Sequence, residues 1–134
     1  MAKTITQKIV FKNTIAKVLY NMYMNEKMHA ELTGSSAKIS AKEGATFSAH
    51  GDYITGKNLQ LIKDTLIVQS WRGSDWDKKE SDSIFILKFE PKGKDTVMKM
   101  IHANVPSKHV DGIKKGWDDY YWSAWNEALA DSQK

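Results

Sequence analysis

The chain has 134 residues, 41% hydrophobic and 27% charged, and no cysteine, which suits one soluble domain with a real core and excludes disulfide frameworks, thiol nucleophiles and thiolate zinc sites. The formal net charge of +4 raises the question of nucleic acid, but every cation except Arg72 is a lysine, scattered and often set beside Asp or Glu, which reads as solvated surface charge and not as a nucleic-acid footprint. MAKTITQKIVF has no apolar core or cleavage site of a secretion signal, and no run approaches the roughly 20 apolar residues of a membrane span, so a cytoplasmic protein is expected.

Residues 5–11 (ITQKIVF) mix β-branched and apolar residues and predict a first strand. Asn13 is an expected N-cap for the helix that follows, in which Ile15, Val18, Leu19 and Met22 share one face. Asn25 is a second cap candidate and Gly34 a terminator, so two short helices are predicted. From Ala37 to Ala103 turn signals recur at Glu43-Gly44, His50-Gly51-Asp52, Lys63-Asp64, Gly73-Ser74-Asp75 and Lys92-Gly93-Lys94-Asp95. The clearest strands between them are 65–71, 83–90 and 96–103, and their short connections favour an antiparallel meander. Parity puts Phe85, Leu87 and Phe89 on one face of their strand, and Met98, Met100 and His102 on one face of the next.

Pro106 ends the last strand, Ser107 can cap, and SKHVDGIKKGWDDYYWSAWNEALADSQK predicts one long C-terminal helix with a wide aromatic face. Gly112 and Gly116 should each cost such a helix about 1 kcal/mol relative to Ala, so a close approach to the backbone, most naturally by the sheet, is expected there.

The runs FKNT at 11–14, GATFS at 44–48, GDYITG at 51–56 and IVQSWR at 67–72, then Trp76, Thr96, Val105-Pro106 and GWDDYYW at 116–122, span nearly the whole chain in one order. In that pattern the sequence resembles the family of activator of Hsp90 ATPase homologues (homologue 1-like), within the larger group of START and Bet v 1-like domains. The resemblance implies a single α+β domain over 1–134 with the helix-grip fold, a curved antiparallel sheet wrapped around the long C-terminal helix, and an apolar cavity between them. It also implies an Hsp90-type chaperone as a partner. Two departures stand out. Trp76 is followed by Asp77 where members commonly have proline, which changes loop rigidity rather than fold. The eukaryotic activator also carries an additional N-terminal domain, for which 134 residues leave no room.

For chemistry, His29, His50, His102 and His109 show no metal-ligand or catalytic spacing, and there is no HExxH, GxSxG or phosphate-binding glycine loop. No catalytic residue, metal or cofactor is therefore expected, and the reading is of a non-enzymatic binding module. His102 is the best acid-base candidate because it shares a face with Met98 and Met100, against the plainer reading of a hydrogen-bonded core histidine.

Two readings stay open for Trp71, Phe85, Phe89, Met98, Met100, His102, Trp117 and Tyr121: they interdigitate as a packed core, or they line a cavity for an apolar or amphipathic small molecule. In QSWRGSDW (69–76), parity sends Trp71 inward with Ile67 and Gln69, leaving Arg72 at the strand end. There it can pair with Asp75, Asp77 or Glu90 or stack on Trp76, as a structural clamp or as a rim contact of Arg72 and Trp76 for a ligand or the chaperone.

Overall fold

Alternation along the strands sets the architecture. The computed structural model describes residues 2–132; Met1, Gln133 and Lys134, which the expected 1–134 domain takes in, lie outside the described residues. Six strands form one antiparallel sheet in the order β1-β6-β5-β4-β3-β2: β1 (Ala2–Phe11), β2 (Thr46–Ala49), β3 (Ile54–Ile62), β4 (Leu66–Gly73), β5 (Ser83–Lys92) and β6 (Asp95–Pro106). Helices α1 (Ala16–Met24) and α2 (Glu26–Thr33) follow β1.

The predicted parities hold. Phe85, Leu87 and Phe89 are buried, as are Met98, Met100 and His102, and Ile67, Gln69 and Trp71 point into the same core. The hairpins follow from local backbone chemistry. Lys92 pairs with Asp95 across a two-residue loop in which Gly93 has φ +61° and Lys94 keeps a negative φ, the type II′ pattern that matches strand twist. Asp64 takes φ +60° between β3 and β4, as a short polar side chain tolerates.

Asn25 breaks the two helices by capping α2, its side chain accepting from the Met28 N–H at 3.0 Å, and Gly34 closes α2 at φ +75°. Asn13, by contrast, does not cap α1. Ile15 occupies that position with no side-chain bond, while Asn13 sits at φ +50° and gives its N–H to Asp95 Oδ1 at 2.9 Å. The β5–β6 turn thereby fixes the exit from β1, and this demand overrides capping.

The C-terminal helix grips the sheet as expected but is not uniform. A 3-10 turn (Ser107–His109), with no side-chain cap from Ser107, leads into α3 (Val110–Gly116), then a π-helical segment (Trp117–Trp122), then α4 (Ser123–Ser132). In a regular helix Trp122 would lie about 140° round from Trp117. The wider π turns bring both inward, where their rings stack at 5.7 Å and 12°. Trp117, Tyr121, Trp122 and Trp125 are all buried as a result, so the aromatic run closes the sheet along one seam.

Candidate functional site

The packed core and the open space lie side by side. Phe85, Phe89, Met98 and Met100 are at most 2% exposed and fill the centre, with Phe85 stacked on Trp117 at 4.4 Å and 9°. They line no cleft. The cleft lies at one end of the grip, with a volume of about 490 Å³, within the range of small-molecule sites. α3 and the start of the π segment form one wall, and Trp71 with the β2–β3 turn (His50, Tyr53, Ile54) forms the other. Of the eight residues expected to line a cavity, Trp71, Trp117 and Tyr121 do so.

Gly112 and Gly116 explain why the space is there. The expected close approach to their backbone is absent: a Cβ on Gly112 would meet nothing within 4 Å, and one on Gly116 only Tyr120 Cδ2 at 3.8 Å. Both glycines line the cleft, so the missing side chains leave room for something other than the sheet.

His102 is locked in a relay. The Trp117 indole N–H donates to its Nδ1 at 3.1 Å, which leaves Nε2 carrying the proton toward Ser83 Oγ at 2.8 Å, and Ser83 in turn donates to the Trp71 carbonyl at 2.6 Å. Burial pushes its pKa down to about 3. With both nitrogens engaged and the ring neutral, His102 is the hydrogen-bonded core histidine.

A second relay reaches the cleft. His29 Nδ1 donates to the Tyr23 carbonyl at 2.8 Å, so its Nε2 accepts from the Tyr121 hydroxyl at 2.8 Å. Tyr121 oxygen then faces His50 Nε2 at 3.2 Å. Burial lowers the His29 pKa to about 4, lowers that of His50 and raises that of Tyr121; the relay is neutral at physiological pH. Deeper in the sheet Tyr23 donates to Gln69 Oε1 at 2.8 Å and Gln69 to Asn58 Oδ1 at 2.9 Å, while Asn58 donates to the Ser40 and Lys42 carbonyls.

Arg72 is a clamp. Its guanidinium donates to the carbonyls of Glu80 (2.6 Å) and Asp77 (2.7 Å), meets Asp82 Oδ1 at 3.3 Å and lies 5.9 Å from the Trp76 ring centre. Among the expected carboxylates, Asp77 offers its backbone instead, Asp75 accepts from the Tyr53 hydroxyl at 2.7 Å, and Glu90 sits between Lys88 and Lys99. Trp76, expected at the rim, is buried, its ring stacked on His109 at 5.8 Å and 19°.

Sequence reasoning missed Ser35, His50, Tyr53, Lys108 and His109 as cleft residues; only the paired glycines signalled an opening nearby. Among the described residues no group of three or more His, Asp or Glu converges to hold a metal ion, and no helix is long and apolar enough to cross a membrane.

The family described as "Activator of Hsp90 ATPase homolog 1-like protein" matches residues 13–129. The activator of 90 kDa heat shock protein ATPase homolog of Dictyostelium discoideum is 28% identical over 99 residues, covering 73% of this chain and 26% of that protein. Homolog 1 of Homo sapiens is 25% identical over 120 residues, covering 87% of this chain and 35% of that protein. The chain thus spans about a quarter to a third of the length of the curated relatives it matches. An HSP90 activator from Plasmodium falciparum has the same fold, with a TM-score of 0.87 at 24% identity, covering 95% of this chain and 96% of that one. A Mesorhizobium loti protein superposes at TM-score 0.81 and 14% identity over 98% of this chain and 99% of that one.

Proposed function

Since the chain belongs to the activator of Hsp90 ATPase homolog 1-like family, we propose that it is a non-enzymatic binding module that holds an amphipathic small molecule in the cleft between α3 and the β2–β3 turn. The observation that carries this reading is the pair Gly112 and Gly116, which keep one wall of an otherwise aromatic cleft bare. A helix loses stability at each glycine, and the room they leave compensates only if something enters it. The relays support binding rather than turnover, because His102 and His29 are held neutral with both nitrogens occupied.

Titration with Nile red, a neutral apolar dye, tests the reading. Saturable binding at one site that disappears in Gly116→Leu is the expected result; dye binding equal in both proteins would sink it. The substitution fills the cleft and raises helix propensity, and an unchanged thermal midpoint separates loss of binding from unfolding.

A second reading, contact with an Hsp90-type chaperone, draws on the family and on the outer face of the sheet. There Val68, Ile86 and Ile101 stand in one cross-strand row, Ile101 is 40% exposed, and Lys8, Lys99 and Lys88 form the next row. With Trp76 buried, this face replaces the Arg72 and Trp76 rim as the contact surface. Stimulation of a purified Hsp90 ATPase that is lost in Ile101→Glu supports this reading, and no stimulation at large excess removes it.

A further inference from the structure

We propose that the occupant of the cleft is an aromatic acid, a flat ring system bearing a carboxylate; this inference rests on the small-molecule reading above. The apolar part follows from the walls. Trp71, Trp117, Tyr120 and Tyr121 present ring surfaces across the cleft from Ile54, and such surfaces pack best against another flat ring.

The acid follows from the charges. Among the described residues, the ionisable side chains lining the cleft besides tyrosines are Lys108, His109 and His50, with no Asp or Glu, although the chain has 16 acidic residues. Asp75, which accepts from the cleft residue Tyr53 at 2.7 Å, does not itself line the cleft. Lys108 is exposed, and its flexible stem lets the ammonium follow a bound anion.

A third observation is independent of charge. His109 Nε2 is buried and has no hydrogen-bond partner, on a ring that lines the cleft and stacks on Trp76. Buried polar atoms in folded proteins are nearly always satisfied, and in the tautomer that puts the ring proton on Nε2 this atom needs an oxygen acceptor. A carboxylate oxygen in the cleft that His109 lines supplies one when the ring turns its Nε2 to meet it, and its partner oxygen remains for Lys108.

The test uses 2-naphthoate and its neutral counterpart 2-naphthamide, titrated calorimetrically into the wild type, Gly116→Leu, and the double variant Lys108→Met/His109→Phe, in which Phe keeps the stack on Trp76. The naphthoate should bind about tenfold more tightly than the amide, the gain of a charge-assisted pair. The double variant should abolish that advantage, bringing naphthoate affinity down to that of the amide in the same variant, and Gly116→Leu should weaken both. Equal binding of the two probes, lost in Gly116→Leu, would overturn the acid and leave the cleft reading standing. An advantage that survives the double variant would overturn the assignment to Lys108 and His109. Binding of neither probe, or binding insensitive to Gly116→Leu, would overturn the acid and the cleft reading together.

Discussion

Acidification to about pH 5 should weaken the fold through two buried imidazoles, well before the carboxylates protonate. His29 titrates at about 4 and His102 at about 3 in the folded chain, against 6.5 for an unperturbed histidine. Desolvation is the leading cause in both. Both folded values are depressed, so the unfolded chain binds more protons below 6.5, and stability that is complete above that pH is lost as pH falls toward the folded values. At about pH 5 each site costs about 2 kcal/mol relative to neutral pH, about 4 kcal/mol together, or roughly a thousandfold in the folding equilibrium. That is a large share of the 5–15 kcal/mol typical of a domain. Glu90 and Asp95 have lowered pKa values and stay ionised at that pH, so they do not mimic the effect; the lowered pKa of His50 adds to it. Urea unfolding at about pH 7.5 and pH 5, with ring resonances followed by NMR, checks both halves of the argument. In His102→Gln, whose amide can accept from Trp117 and donate to Ser83, the difference between the two pH values should shrink by about half. A His102 resonance that titrates near 6.5, or a urea midpoint that does not move between the two pH values, would refute the reasoning.

Two further outcomes follow from single contacts. Gly56→Ala should destabilise by about 3 kcal/mol or more, because a Cβ there collides with the Ser70 carbonyl oxygen of the neighbouring strand and comes within 2.6 Å of Phe47 Cε1; a thermal midpoint within a degree or two of wild type would contradict it. Arg72→Met should release the loop from Asp77 to Asp82, which the guanidinium now ties by two carbonyls and a carboxylate, at a cost of about 1–3 kcal/mol. Trypsin should then cut at Lys78 or Lys79 several-fold faster, and unchanged cleavage would mean that the clamp is dispensable.

The central strands were legible because their inward faces are bulky and regular: Phe85, Leu87 and Phe89 can be read by parity alone. The break between α1 and α2 was legible for a similar reason, since Asn25 offers a local bond that competes with helix. The caps and turns that depend on distant partners were not. Asn13 resembles a cap in sequence, but its partner is Asp95, 82 residues away. Gln69 faced inward by parity and so required a buried partner, yet nothing local identifies Asn58 and Tyr23 as its partners. The site was harder still. Residues that fill the core and residues that line the cleft share types and often strands, and only the packing of the aromatic helix separates Trp71, at the cleft, from Phe85 beneath it. Gly112 and Gly116 were the visible clue, read with the wrong occupant because a glycine signals room without saying for what.

The π segment also makes the chain about one residue longer than the phase of its last helix requires. Six residues of π-helix, at about 4.4 residues per turn, rotate the chain about as far as five residues of α-helix, so removing one residue from 117–122 would let the segment relax to an ordinary helix while Trp125 keeps its place against Phe11, which it meets at 6.0 Å. Removing a second residue, or adding one, would instead turn α4 by about 100° and break that contact. In an alignment of related chains that keep this seam, the gap tolerated at these six positions should therefore be of one residue, and a relative that carries it should have an unbroken α-helix there with no compensating change beyond it.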